Sequence, residues 1–312
     1  MRMADTWLVT GGAGNLACQL SRHLVEHCDQ LVLTDVAARP VAAVAPSARY
    51  ERCDLVDAAA VAALLARHRP KVVFHLASLL SGKCELDRGL AWQVNTTATV
   101  GLFDAALTSG VQTVVFPSSV ASYGGKPDDP LPEDAPQWPE GIYGVTKVAC
   151  ERLGLYYHAR HGLDFRCVRL PIIVSRFAPA GAASAYASRA FIEAAQQGRF
   201  TFRVRPGTQS SLMYVEDALR ALLDLALAPA DRLSRRVYNI HSIAPTADEI
   251  AACIRHRRPE AELIFDPDPA ISALIESWPR RLVDESARRD WGWEPRFDLE
   301  RIAHVMLEQP SA

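Results

Sequence analysis

Lysine is scarce in this chain. Only Lys71, Lys83, Lys126 and Lys147 occur among 34 lysines and arginines in 312 residues. The arginines are scattered rather than bunched and the net charge is −2, so the chain carries no electrostatic footprint for nucleic acid or an anionic membrane. Its seven cysteines (Cys18, Cys28, Cys53, Cys84, Cys150, Cys167, Cys253) are odd in number and lack C-x-x-C spacing. That pattern excludes a disulfide framework and reads as small buried hydrophobes in a reducing compartment. No apolar run reaches the roughly 20 residues of a membrane span. The N-terminus runs directly into a strand without a signal-peptide pattern, and a cytoplasmic protein is expected. Histidines form no ligand set: His158 and His161 lie three apart with no third ligand type nearby. There is no HExxH, no cysteine cluster and no paired carboxylate, so no metal is expected. Internal repeats and low-complexity segments are absent too.

What is present is an ordinary globule, 49% hydrophobic and 22% charged, long enough for one large α/β domain with a smaller lobe. Apolar strands at 7–10, 31–35, 72–76, 113–116 and 165–170 alternate with helical patterns at 15–27, 56–68, 86–107 and 148–161. That rhythm predicts a Rossmann-type doubly wound parallel sheet with helices on both faces and right-handed crossovers. After residue 171 the rhythm changes to short elements: helices at 182–197 and 214–228, strands at 200–204, 237–240 and 263–265, with Pro267 and Pro269 breaking the last. Thr246-Ala247-Asp248-Glu249 fits a capping box. The expected division is 1–171 for dinucleotide binding, its core also receiving segments at about 205–242, and 172–312 mainly for a substrate lobe at the sheet's carboxyl edge.

Gly11-x-x-Gly14-x-x-Ala17 stands between the first strand and the first helix, the setting a dinucleotide fingerprint needs. Gly11 permits the tight turn, Gly14 lets a pyrophosphate approach the helix N-terminus, and Ala17 is small enough for helix–strand packing. A Gly-rich turn with no ligand is the competing reading. Asp35 ends the second strand, where a carboxylate accepts from a ribose 2′-hydroxyl and repels a 2′-phosphate. NAD is therefore expected over NADP, although Arg39 is nearby. Asp54 reads equally as a partner for the adenine amine or as an ordinary turn residue. Ser118 and Ser119 end the fourth strand, either as donors into a cleft or as turn caps.

Tyr143-Gly144-Val145-Thr146-Lys147 follows a proline-rich loop and opens a helix. Residues four apart share a helical face, which sets the Tyr143 phenol beside the Lys147 ammonium. A phenol titrates near pH ~10. A cation about 4 Å away, at an effective dielectric near 20, supplies the roughly 4 kcal/mol that would make it a base near neutrality. A surface tyrosine with a solvated lysine is the plain alternative.

Together these pieces resemble the extended short-chain dehydrogenase/reductase superfamily, the NAD-dependent epimerase/dehydratase type. Tyr143-x-x-x-Lys147, the Gly11/Gly14 loop, and Ser119 followed by Val120-Ala121-Ser122-Tyr123-Gly124 carry the likeness. More narrowly, the chain resembles the short-chain-type L-threonine 3-dehydrogenases. This likeness lies in His75-Leu76-Ala77-Ser78-Leu79-Leu80-Ser81-Gly82-Lys83, Leu212-Met213-Tyr214-Val215-Glu216-Asp217, Asp266-Pro267-Asp268-Pro269, Ser277-Trp278-Pro279-Arg280 and Asp290-Trp291-Gly292-Trp293. The resemblance implies NAD-dependent oxidation of a secondary alcohol. Tyr143 would be the base, Lys147 its partner on the nicotinamide ribose, and Ser119 the hydrogen-bonding group for the substrate hydroxyl, with Ser118 as neighbour. Gly11, Gly14, Asn15, Leu16, Asp35, Asp54, Leu55, Leu76, Ala77, Ser78, Asn95 and Pro171 would hold the cofactor. Ser81, Gly82, Ala183, Ser184 and Trp278 would face a small-molecule substrate. A homodimer through helices near 86–107 and 143–161 is also implied.

The chain departs from that pattern in places. Threonine enzymes carry a Gly-rich run and paired threonines before Asp-Tyr; here the segment reads Ala180-Gly181-Ala182-Ala183-Ser184-Ala185-Tyr186, and Gln209 replaces the usual arginine. The Ala-Ala-Ser run looks more like erythronate dehydrogenases, which oxidise a hydroxy acid. NDP-sugar epimerases usually bind the diphosphate with an arginine near Ser210, and residues 206–211 contain none.

Overall fold

A computed structural model describes residues 5–125, 127–178 and 183–308. The strands in chain order are β1 (Thr6–Thr10), β2 (Gln30–Asp35), β3 (Arg49–Arg52), β4 (Val72–His75), β5 (Thr113–Ser119), β6 (Asp164–Leu170), β7 (Ile172–Val174), β8 (Arg199–Phe202), β9 (Leu212–Tyr214), β10 (Val237–Asn239) and β11 (Glu262–Phe265). The helices are α1 (Asn15–Leu24), α2 (Ala58–His68), α3 (Ser81–Leu86), α4 (Arg88–Trp92), α5 (Ala98–Ser109), α6 (Ile142–His161), α7 (Tyr186–Gln197), α8 (Val215–Leu227), α9 (Ala247–Arg257), α10 (Pro269–Glu276), α11 (Glu285–Trp291) and α12 (Leu299–Glu308). Two compact units emerge. The first holds the chain up to Ser118 with Gly141–Arg169 and Leu219–Tyr238; the second holds Ser119–Glu140, Leu170–Ala218 and the chain from Asn239 onward.

The first unit is built on a seven-stranded sheet in the order β10-β6-β5-β4-β1-β2-β3. The pairs β1–β2, β1–β4, β2–β3 and β4–β5 run parallel. All five residues of β1 are buried, as expected of a parallel strand covered on both faces. From β1 the chain winds outward to β2 and β3, then crosses back to β4, so the order reverses between β1 and β4. That reversal is the topological switch point at which doubly wound sheets bind ligands. The core gathers Leu8, Val32, Leu65, Val73, Phe103, Val114, Phe116 and Phe165, with Phe103 edge-on to Tyr157 at 5.2 Å. Helix α6 reaches this core because residue 154 is glycine. A Cβ there would stand 2.3 Å from the Phe165 ring.

The segment 86–107, expected as one helix, is interrupted. Asp87 is extended (φ −142°) and its carboxylate accepts the Leu90 N–H to start α4. A π-turn over Gln93–Thr97 then precedes α5. Asp87 offers the backbone a local partner that competes with the helix, and the π-turn carries the buried Asn95.

In the second unit β7 pairs with β9, and β8 runs parallel to β11. Phe191, Phe202, Ile250, Ile254, Ile302 and Met306 form its core. The capping box stands: Thr246 and Glu249 cap α9 reciprocally. Pro269 opens α10 at its first turn behind the Asp268 cap. Its missing N–H is one that a helix start leaves unpaired anyway. Among the described residues no helix is long and apolar enough to cross a membrane, no metal-binding group of side chains occurs, and all seven cysteines are free thiols.

Candidate active site

The turn after β1 fits a pyrophosphate cradle. Gly11 has φ +67°, and a Cβ on it would lie 2.7 Å from the Ala77 nitrogen. Gly12 is as constrained, a Cβ there falling 2.7 Å from Leu33 Cβ. The motif pattern had singled out only its neighbours. Gly14 N–H donates to the Gly11 carbonyl at 2.9 Å, and Ala17 is buried at 1% exposure. At the start of α1 the Asn15 Oδ1 atom is buried without a hydrogen-bond partner, an acceptor that a ribose hydroxyl or water could satisfy but a phosphate oxygen could not. The Asp35 carboxylate accepts Ala13 N–H at 3.1 Å and Ala37 N–H at 3.0 Å, which holds it at the end of β2 with lone pairs left for ribose hydroxyls. The tight glycine turn and the carboxylate fit NAD. Asp54 is exposed and its Oδ1 accepts Val56 N–H at 3.0 Å, the turn role; Leu55 is buried beside it. Leu16, Leu76, Ala77 and Ser78 are half-buried.

A hydrogen-bond chain crosses the switch point. Ala77 N–H donates to Thr10 Oγ1 at 3.3 Å, Thr10 Oγ1 meets His75 Nδ1 at 2.7 Å, His75 Nε2 meets Thr99 Oγ1 at 2.8 Å, and Thr99 Oγ1 donates to the Asn95 carbonyl at 2.6 Å. With Nε2 protonated, every hydroxyl and ring nitrogen donates or accepts in one consistent direction. Burial first, and the Lys147 charge second, push the His75 pKa down to about 3, so the ring is neutral.

Helix α6 carries Tyr143 and Lys147 on one face, as the spacing predicts. Lys147 is 5% exposed. Its Nζ donates to the Pro117 carbonyl at 2.9 Å, lies 4.5 Å from the Phe116 ring centroid and 5.5 Å from that of Tyr143. Tyr143 is half-buried. One turn past Lys147 stands the fully buried Glu151, which the motif reading missed. It accepts from Arg169 Nη2 at 2.7 Å and Nε at 3.1 Å, and from the Ser118 hydroxyl. A visible signal existed: Arg169 lies in β6, whose residues from Phe165 to Leu170 are all buried, and a charge there demands a buried partner.

Two expected site residues are otherwise engaged. Ser118 is 2% exposed and donates to Glu151. Asn95 is 4% exposed; its Oδ1 accepts Leu79 N–H at 2.7 Å, and its Nδ2 donates to the Leu79 carbonyl at 3.1 Å and to Thr146 Oγ1 at 3.2 Å. It therefore pins the loop after β4. Ser119 Oγ accepts Ala121 N–H at 3.2 Å, which leaves its own proton to donate. Ser81 is half-buried and Gly82 exposed at the start of α3.

In the second unit Pro171 is buried and Ser184 half-buried. Ala183 begins a 3₁₀ turn, its side chain lying outside the described residues together with residues 179–182. Trp278 packs against the second core. Gln209 Nε2 donates to the Ala244 carbonyl at 2.6 Å.

The model of the "NAD dependent epimerase/dehydratase family" matches residues 7–240. The chain is similar to the mitochondrial L-threonine 3-dehydrogenase of Bos taurus, 37% identical over 304 residues that cover 96% of this chain and 81% of that protein. The solved L-threonine dehydrogenase from Clostridium difficile superposes with a TM-score of 0.92 at 31% identity, covering 98% of each chain. A nucleoside-diphosphate-sugar epimerase from Agrobacterium tumefaciens gives 0.89 at 26% identity, covering 97% of this chain and 94% of that one.

Proposed function

The chain belongs to the NAD dependent epimerase/dehydratase family, and from that premise we propose that it is an NAD-dependent dehydrogenase oxidising the secondary alcohol of a small β-hydroxy amino acid, L-threonine first. The observation that carries this reading is the Lys147 ammonium, buried within 5.5 Å of the Tyr143 ring on the same helix. A buried cation beside a phenol favours the phenolate. Tyr143 takes the hydroxyl proton as general base. Lys147, one of its N–H groups held by Pro117, presents the others to the nicotinamide ribose. Ser119 donates its hydroxyl proton to the substrate oxygen and so orients it. Gly11, Gly14 and the Asn15 backbone N–H at the start of α1 hold the pyrophosphate, and Asp35 the adenine ribose. Bound NAD supplies the hydride acceptor. For threonine the product is 2-amino-3-oxobutanoate, a β-keto acid prone to decarboxylation.

A second reading is oxidation of a related hydroxy acid or another β-hydroxy amino acid. It is favoured by Ala183-Ser184 standing where threonine enzymes carry paired threonines, and by Gln209 being tied to the Ala244 carbonyl. The experiment is steady-state NAD+ reduction across threonine, allo-threonine, serine, phenylserine and erythronate. Tyr143→Phe should lower kcat on the best substrate by about 10²–10⁴-fold and leave NAD affinity near wild type. Comparable turnover in that variant removes Tyr143 from the mechanism. Conversion of an NDP-sugar without net NADH would make the protein an epimerase instead.

The seven free thiols support the cytoplasm as the compartment. Leu86 (88% exposed), Leu90, Trp92, Val145 and Tyr156 on α3, α4 and α6 support a homodimer. Neither nucleic acid nor membrane is a proposed partner.

A further inference from the structure

Within the first unit, three buried charges stand close together. Lys147 and Glu151 are one turn apart on α6, with their Cβ atoms on the order of 6 Å from each other, and Arg169 comes from β6. Lys147 is 5% exposed, Glu151 0% and Arg169 5%. A lysine and a glutamate at this spacing are within pairing reach, although lysine-first is the weaker order. Here they do not pair. Glu151 turns to Arg169, with 2.7 Å between Oε2 and Nη2, and receives the Ser118 hydroxyl. Among the described residues Lys147 makes no ion pair; its neighbours are the Pro117 carbonyl and the rings of Phe116 and Tyr143.

We propose that Arg169 is a positioning residue for the Tyr143–Lys147 pair: by binding Glu151 it keeps that carboxylate off Lys147, whose positive charge is left to act on Tyr143. The inference rests on the proposed role of Tyr143 as base. In charge terms, Arg169 cancels Glu151 and Lys147 remains the single uncompensated charge of the three. Without Arg169 the buried carboxylate stands one helical turn from Lys147, and the two would neutralise each other beside the phenol.

Among the described residues, titratable groups near this cluster include one histidine, three thiols and one further carboxylate. His75 on β4 is held uncharged by burial and by Lys147. The Cys84 thiol on α3 and the Cys150 thiol on α6 are raised, chiefly by burial. Cys167 on β6 is raised well above its ordinary value by burial and then by Glu151. The carboxylate is Glu85 on α3, whose Oε1 accepts Ile142 N–H at 2.9 Å at the start of α6. It is common to every variant below and cancels in the comparison.

The test is the acid limb of the kcat–pH profile in four variants, with folding checked by thermal melting. Glu151→Gln leaves Arg169 uncompensated, adds positive charge and should move the limb to lower pH by about one unit, the scale a unit charge reaches at this range in an effective dielectric near 20. Arg169→Met should move it by about one unit in the opposite direction. The double variant R169M/E151Q should return it to within a few tenths of wild type. Arg169→Lys, which can still pair Glu151, should leave it in place. A purely structural role would lower rates without signed, mutually cancelling shifts. Limbs that move the same way in both single variants, or do not move, overturn the proposal. If Arg169→Met fails to fold, Arg169→Gln, which keeps a donor without the charge, takes its place, and an unmoved limb there overturns the proposal. The same comparison is read without turnover from the 13Cζ resonance of labelled Tyr143, identified by its loss in Tyr143→Phe. Absence of any wild-type NADH formation would strike the function reading, whereas a wild-type profile with unmoved variants strikes this inference only.

Discussion

Thr10 Oγ1 and His75 Nδ1 are 2.7 Å apart, which joins the carboxyl ends of β1 and β4 across the switch point of the sheet. Thr10 immediately precedes the Gly11 turn, and its hydroxyl also receives the Ala77 N–H. The glycine cradle and the loop after β4 are thus tied to one another through a neutral, fully buried imidazole. Several consequences are measurable.

The stability of the protein should depend on pH through His75. Its folded pKa, about 3, lies below the ordinary 6.5. The unfolded chain therefore takes up the proton first as pH falls. The stabilisation is complete above pH ~6.5 and is lost progressively down to pH ~3, about 2 kcal/mol of it by pH 5. Urea denaturation at pH 7.5 and pH 5.0 checks this. His75→Gln should be less stable than wild type at pH 7.5 and should lose about 2 kcal/mol less than wild type on going to pH 5.0. An identical pH response in both proteins would refute the argument.

Gly11→Ala meets two obstacles at once, a positive φ of +67° and the Ala77 backbone 2.7 Å from the new methyl. Strain of about 1–3 kcal/mol is expected, with NAD affinity reduced at least about tenfold by the displaced cradle. Gly101→Ala serves as the control. It lies within α5 and a Cβ there meets nothing within 4 Å, so the protein should be unchanged or gain up to about 1 kcal/mol. Thermal melting and calorimetric titration with NAD separate the two cases.

Asp35 should decide the choice of coenzyme. Its carboxylate is fixed by Ala13 and Ala37, where it would repel a 2′-phosphate. Asp35→Ala should weaken NAD and narrow the NAD:NADP ratio of kcat/KM by roughly 10–100-fold, since hydrogen bonds to a charged group are worth about 1.5–3 kcal/mol. A ratio unchanged in the variant would show that Asp35 does not read the ribose.

The exposed apolar residues on α4 predict assembly. Trp92 and Leu90 are each 45% exposed, close to the 88%-exposed Leu86 at the end of α3. Sedimentation equilibrium should give a dimer for the wild type and a monomer for L90E/W92E, with the melting temperature then depending less on concentration. A monomeric wild type ends the idea.

Much of this was readable from the chain. Apolar runs alternating with 3.6-period segments specify the parallel sheet, because each pattern has only one way to bury its face. Gly11 and Gly14 announced the tight turn after β1, and the four-residue spacing of Tyr143 and Lys147 put them on one face of α6. Three-residue strands such as β7 and β9 are too short to carry a period, and the break at Asp87 depends on a side-chain bond that composition does not reveal. What only the tertiary structure decided is the allegiance of buried polar groups. Asn95 and Ser118, expected as cofactor contacts, are hydrogen-bonded within the scaffold, while Glu151, Arg169 and His75 were given no role. A buried charge or donor is satisfied by whichever partner the packing brings near. Here those partners lie 18 residues away from Glu151 and 65 from Thr10, distances that only the folded sheet closes.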